Sequence, residues 1–98
     1  MSITATLELR FKPESLDEAR TVLSRVLAET RAFDGNEGVD VLVDRDDPAH
    51  WIAHETWASE EHDAAYREFR AGPGQVTDMA PLLAAAPVLT WFAVDDAL

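Results

Sequence analysis

Apolar and polar residues alternate at the start of the chain. Every second position is apolar: Ile3, Ala5, Leu7, Leu9 and Phe11. Threonines and charged residues take the positions between them. Because successive side chains of a strand point to opposite faces, this period of two predicts a β-strand with one apolar and one polar face.

A helical period follows the segment "KPES". The apolar positions recur three or four residues apart, at Leu16, Ala19, Leu23, Val26 and Leu27. Ser15 and Glu18 have the spacing of a capping box, in which each side chain accepts a hydrogen bond from the other's backbone. The pattern predicts a helix over about 15–33, which the glycines of "DGNEG" end.

The middle of the chain predicts a hairpin. A second strand is expected over about 38–44, around "VDVLVD", and a third over about 50–57, "HWIAHETW". The polar turn "DRDDPA" joins them. Two apolar-rich strands with a short polar connection are typical of an antiparallel pair.

The last third predicts one long helix, one short helix and a final strand. Ser59 is expected to cap a helix over 60–71, whose first turn is acidic and therefore complements the positive end of the helix dipole. "TDMAPLLAAAP" predicts a short helix capped by Thr77 or Asp78, and "VLTWFAVDD" predicts the last strand.

The resulting order is β-α-β-β-α-β, which predicts an α+β ferredoxin-like fold in a single domain over 1–98. A four-stranded antiparallel sheet carries both helices on one face. The last strand is apolar on both sides, with Val88 and Phe92 on one and Leu89 and Trp91 on the other. Because the helices cover only one face of the sheet, a second copy of the chain is expected on the other, as a homodimer.

The charge and the composition of the chain exclude some classes of binding partner. The 98 residues carry a net charge of −11, with 19 acidic against 8 basic residues and no basic cluster. Nucleic acid and anionic membrane surfaces are therefore not expected as partners. There is no cysteine, no recognisable signal peptide and no apolar run near the ~20 residues of a membrane span, so a cytoplasmic location is expected.

The histidines and the charged residues of the predicted strands are the candidates for metal or charge sites. His50 and His54 are four residues apart on a strand, which separates their Cα atoms by about 13 Å, and no metal site is expected. Glu8, Arg10 and Glu55 lie on predicted central strands. They are expected to form a charge cluster between two facing sheets, with a carboxylate base as the alternative.

The junction between the third strand and the second long helix resembles a known family. Glu55 and Trp57, followed by Ser59, Glu60 and Glu61, are similar to the motif of the antibiotic biosynthesis monooxygenase domain, within the dimeric α+β barrel superfamily. "GNEGVDVLVDRDDPAHWIAHETW" and "PVLTWFAV" extend the resemblance over nearly the whole chain.

The resemblance implies a homodimer with facing sheets and a pocket between each sheet and its helices. Some members oxidise quinols or anthrones with dioxygen and no cofactor, and others degrade haem. Three positions depart from the family: Tyr66 stands where histidine is common, and Ala53 and Thr6 stand where particular subgroups carry asparagine.

From these features we expect the protein to be a cofactor-free monooxygenase that acts on small aromatic quinols or anthrones. Trp57 is expected to bind the rings and Tyr66 to donate a hydrogen bond to the developing oxyanion, unless both are plain core residues. His54 is expected to accept the proton if it faces the pocket; otherwise it lies at the dimer seam. The alternatives are a non-catalytic dimeric module that binds a small apolar ligand and a haem-degrading enzyme.

Overall fold

A computed structural model describes residues 2–98 and confirms the order of the elements. The strands pair antiparallel in one sheet of order β2-β3-β1-β4, so the predicted ferredoxin-like fold is confirmed. The elements are β1 (Ile3–Arg10), α1 (Leu16–Ala32), β2 (Asn36–Asp44), β3 (Asp47–Trp57), α2 (Glu60–Ala71) and β4 (Val88–Ala93).

The odd-numbered residues of β1 and β3 form the core with the two helices. Ala5 and Leu9 on β1 and Trp51, Ala53 and Trp57 on β3 are buried. Helix α1 buries one stripe of its surface against them. The two central strands thus carry most of the helix-covered face, and removing this apolar surface from water is the main stabilising term.

The opposite face of the sheet is uncovered. We call it the open face, and its apolar residues are Leu42, Ile52, Val88 and Phe92. Val88 and Phe92 are each 53% exposed, which is unusual for large apolar side chains on a sheet. No helix within residues 2–98 packs on this face. Leu89 and Trp91 point the other way, towards the helices.

The two predicted helix caps differ in outcome. Ser59 caps α2 as predicted, because its Oγ accepts a hydrogen bond from the backbone N–H of His62 at 3.2 Å. The capping box at Ser15 is wrong, since the Ser15 side chain makes no cap hydrogen bond. Instead, a 3₁₀ turn over Pro13–Ser15 leads directly into α1.

The short helix predicted after residue 76 is also wrong. Only a 3₁₀ turn forms there, over Ala80–Leu82. The segment's backbone hydrogen-bonds to the end of β1 instead: Lys12 N–H donates to the carbonyl of Leu82 at 2.9 Å, and Ala84 N–H donates to that of Arg10 at 2.7 Å. No helix among residues 2–98 has the length and apolar character needed to cross a membrane.

Candidate functional site

A cavity of about 310 Å³ lies between the sheet and the two helices. Its volume is at the lower end of the range for small-molecule sites. Most of its wall is aliphatic and comes from β1, β3, β4, α1 and the segment after α2: Leu7, Leu9, Leu23, Val26, Leu27, Ala53, Val76, Met79 and Leu89. Such a wall favours an apolar ligand.

The polar part of the wall comes from α2 and from one residue of β3. Tyr66 and Arg70 are one helical turn apart and therefore lie on the same side of α2, with Arg67 beside them. Glu55 faces them from β3, and Gln75 follows α2. Charged groups are thus concentrated on one side of an otherwise apolar cavity.

Glu55 is the carboxylate of this wall, and its side chain is only 4% exposed. Its Oε1 accepts two hydrogen bonds, from Trp57 Nε1 at 3.0 Å and from Arg67 Nη2 at 2.6 Å. Arg67 also donates to Asp63 Oδ1 through Nε at 3.2 Å and Nη2 at 3.0 Å. The ion pair compensates the buried charge, but among residues 2–98 neither Oε2 of Glu55 nor Nη1 of Arg67 has a hydrogen-bond partner.

The expected cluster of Glu8, Arg10 and Glu55 is therefore wrong. Residues on alternate positions of paired strands fall on opposite faces, so Glu55 lies on the helix side while Glu8 and Arg10 lie on the open face. There Glu8 lies 3.1 Å from His50 Nε2, and Arg10 lies 3.9 Å from Asp47.

Tyr66 is buried, and its hydroxyl is fully engaged. The hydroxyl accepts a hydrogen bond from Arg70 Nε at 2.8 Å and lies 2.6 Å from Thr30 Oγ1. Thr30 uses its own hydrogen to donate to the carbonyl of Val26 at 3.0 Å. With Thr30 donating to Val26, we assign the hydrogen between the two hydroxyls to Tyr66, which then donates it to Thr30.

Arg70 holds this network in place. Besides Tyr66 it donates to the carboxylate of Glu29 at 3.0 Å and to the carbonyls of Val26 and Gly74, both at 3.0 Å. Burial opposes the charge of the guanidinium, but the hydrogen bonds with Tyr66 and Glu29 outweigh it and raise the pKa of Arg70. A permanent positive charge thus lies at the end of the cavity.

Trp57 packs against the cavity residue Tyr66 and is not itself part of the cavity wall. It is fully buried and does not line the cavity, in contrast to the ring-binding place expected from the sequence. Its ring packs on Tyr66 with the centroids 4.8 Å apart, and its indole N–H holds Glu55. The structure therefore brings Trp57 and Tyr66 together, as expected, with Tyr66 between the indole and the cavity.

His54 lies on the open face, where it is paired with Thr6 of β1 and Asp40 of β2. The sheet separates it from the cavity, so the structure does not bring it together with Tyr66. Of the two places considered for His54, this one corresponds to the seam of a sheet-to-sheet dimer.

His50 occupies the same face between two carboxylates. Its Nδ1 lies 2.8 Å from Asp44 and its Nε2 lies 3.1 Å from Glu8. The hydrogen bond to Asp44, and to a smaller extent the one to Glu8, raises the pKa of His50. The hydrogen bond to His50 in turn lowers the pKa of Asp44. Within residues 2–98 no group of three or more His, Asp or Glu side chains has an arrangement that could hold a metal ion.

Sequence reasoning did not single out Asp63, Arg67 or Arg70. Two pairs on α2 carried the signal, because Asp63 and Arg67, and likewise Tyr66 and Arg70, are four residues apart. Such pairs share one helix face, and here that face is turned towards the sheet, where unpaired charges are costly.

The fold and the cavity define an α+β ferredoxin-like domain with an internal site of small-molecule size. The family model for antibiotic biosynthesis monooxygenase matches residues 2–77, and the chain belongs to this family. Proteins of the family are typically dimeric. None of the curated proteins matches the chain.

Several solved structures share the fold. A conserved protein from Methanosarcina mazei aligns with a TM-score of 0.84 and 15% identity, covering 94% of this chain and 91% of its own. A Mycobacterium tuberculosis protein aligns with a TM-score of 0.74 and 21% identity over 100% of both chains. A mutant of SnoaB, a cofactor-independent oxygenase from Streptomyces nogalater, aligns with a TM-score of 0.79 and 19% identity, covering 95% and 92%. At these identities the likeness establishes the fold.

Proposed function

We propose that the protein is a cofactor-independent monooxygenase that oxidises small aromatic quinols or anthrones with dioxygen. The observation that carries the proposal is the aliphatic cavity of about 310 Å³ with a buried carboxylate–guanidinium pair in its wall. Membership of the family supports the reaction class, and so does the shared fold with an oxygenase described as cofactor-independent.

The chemistry needs no external reductant. A deprotonated quinol or anthrone is electron-rich and reduces dioxygen directly. When the methylene of an anthrone becomes a carbonyl, one oxygen atom enters the product and the other leaves as water with the two methylene hydrogens. The substrate therefore supplies all four electrons, and the protein supplies an apolar slot, a proton acceptor and donors to the oxyanion.

In this proposal Arg67 is the donor to the developing oxyanion. Its Nη1 carries two N–H groups without a hydrogen-bond partner among residues 2–98, and the residue lines the cavity. The sequence had suggested Tyr66 for this role, but Tyr66 donates its hydrogen to Thr30. Tyr66 instead forms the wall against which the rings pack, supported from behind by Trp57.

The proposal includes a homodimer in which a second copy covers the open face. Leu42, Val88 and Phe92 are each more than half exposed there, and burying them against the same residues of a partner removes apolar surface from water on both sides. The typical dimeric state of the family supports this arrangement.

The test is oxygen uptake by purified, chelator-treated protein with a panel of hydroquinones and anthrones, measured against the autoxidation rate of each compound. The expected result is turnover above autoxidation that survives chelation. Leu89→Trp, which fills the cavity from β4, should abolish it while circular dichroism shows an intact fold. If no compound is turned over but some bind, the non-catalytic ligand-binding module replaces the enzyme.

A further inference from the structure

We infer that Glu55 is the proton acceptor of the cavity and that its Oε2 receives the hydrogen of a ligand hydroxyl, which makes phenols and enols the ligand class. The inference deepens the proposed function and rests on it for the redox step. It does not rest on it for the binding of a hydroxyl group, which is tested separately.

The first argument is that the two carboxylate oxygens of Glu55 differ in their hydrogen bonds. Oε1 accepts the hydrogen bonds from Trp57 and Arg67, whereas Oε2 accepts none among residues 2–98. Oε2 is not a fully buried atom, since among residues 2–98 only Asn36 Nδ2 is both fully buried and without a partner. It is therefore accessible, and Glu55 lines the cavity. A carboxylate oxygen is an acceptor only, so this free acceptor in a mostly aliphatic wall suits a ligand that brings a donor.

The second argument is the donor next to it. Arg67 binds Oε1 through Nη2, so the two N–H groups on its Nη1 belong to the same planar guanidinium. A ligand hydroxyl between Oε2 and Nη1 meets an acceptor for its hydrogen and a donor for its oxygen. When its O–H bond breaks, the electron pair stays on the ligand oxygen and Glu55 becomes the neutral acid. The proton later leaves with the water that the oxidation forms.

The third argument is the position of the other candidate bases. Asp63 is buried nearby, but Arg67 donates to its Oδ1 and Trp91 Nε1 donates to its Oδ2 at 2.8 Å, so both oxygens are occupied. His54 lies on the open face. His62 lies at the start of α2, with Nδ1 2.7 Å from Ser59 Oγ. None of the three lines the cavity.

The variant that isolates this role is Glu55→Gln. Its amide oxygen can still accept from Trp57 and Arg67 at the place of Oε1, while its NH₂ group at the place of Oε2 cannot accept a hydrogen. Glu68→Gln is the matched control, since it removes the same charge from an exposed residue of α2. Thermal unfolding establishes that both variants are folded.

The first readout is binding of 2-hydroxyanthraquinone and 2-methoxyanthraquinone by calorimetry; both probes are already oxidised and do not react with dioxygen. A hydrogen bond to a carboxylate should favour the hydroxyl probe roughly tenfold or more in the wild type and in Glu68→Gln. In Glu55→Gln the preference should fall to about twofold or less. Binding of neither probe, equal binding by the wild type, or a preference that survives Glu55→Gln overturns the inference.

The second readout is oxygen uptake with the quinol that the wild type turns over fastest. Glu55→Gln should lower kcat by roughly a hundredfold or more. A loss of less than about threefold overturns the role in proton transfer. If no quinol is oxidised by the wild type but the hydroxyl preference depends on Glu55, the oxygenase proposal fails and the ligand class stands.

Discussion

The hydrogen-bond network behind the cavity makes a quantitative prediction about Thr30. Its side chain is fully buried; it donates to the carbonyl of Val26 and accepts from the hydroxyl of Tyr66 at 2.6 Å. Thr30→Val keeps the shape of the side chain but removes the acceptor. The hydrogen of Tyr66 is then left in an apolar interior with no partner.

The expected cost follows from the balance of hydrogen bonds in folded proteins. A typical buried hydrogen bond contributes about 1 kcal/mol net, and an orphaned buried partner costs about 1–3 kcal/mol. Thr30→Val should therefore lower the free energy of unfolding by about 2 kcal/mol. Tyr66→Phe should cost a similar amount, because it leaves Arg70 Nε without its acceptor. The double variant loses the shared bond only once, so its cost should fall short of the sum by about 1 kcal/mol.

The assay is urea unfolding followed by tryptophan fluorescence, at one fixed protein concentration because association changes the midpoint. Thr21→Val is the control, since Thr21 is an exposed threonine of the same helix and its loss should change stability by less than about 0.5 kcal/mol. Costs that add within about 0.3 kcal/mol in the double variant would show that Thr30 and Tyr66 are not coupled, and the stabilising hydrogen bond between them would be refuted.

Three further predictions concern the aromatic core, the open face and its histidine. Trp57→Phe should lower the free energy of unfolding by roughly 2 kcal/mol or more, and Trp91→Phe by less than about 1 kcal/mol, because the first ring is fully buried and the second is 51% exposed; equal urea midpoints would contradict this. His50→Gln should lower the free energy of unfolding most below the ordinary histidine pKa of 6.5, where the protonated ring is favoured in the folded state. The difference from the wild type should shrink as the pH rises through the raised pKa of His50. A difference in stability that grows between about pH 5.5 and pH 8.5 would contradict this prediction. Light scattering should give about twice 10.8 kDa for the wild type and the monomer mass for Phe92→Glu, which puts a charge among the exposed apolar residues of the open face. A wild-type mass near 10.8 kDa at micromolar concentration would end the dimer proposal.

Local chemistry was enough to predict the elements and their order. The alternation of β1, the helical period of α1 and the serine before α2 are properties of neighbouring residues, and the fold predicted from them is confirmed. Two predicted features do not form, the capping box at Ser15 and the short helix after residue 76. At Ser15 a 3₁₀ turn over Pro13–Ser15 leads into α1 instead. The backbone after residue 76 hydrogen-bonds to residues at the end of β1, about seventy positions earlier along the chain, and no local pattern reports such contacts.

The candidate site depended on the tertiary structure. The sequence drew attention to Trp57 and Tyr66 through a family motif, but the packing of α2 on β3 decided that Tyr66 forms the cavity wall and that Trp57 lies behind it. Sheet alternation alone already put His54 opposite Trp57; only the position of the helices decided which of those faces holds the cavity. The pairing of Glu55 with Arg67 joins residues twelve positions apart on different elements. Such a contact depends on how a strand and a helix are placed against each other, which the burial of the whole core determines and no single stretch of sequence encodes.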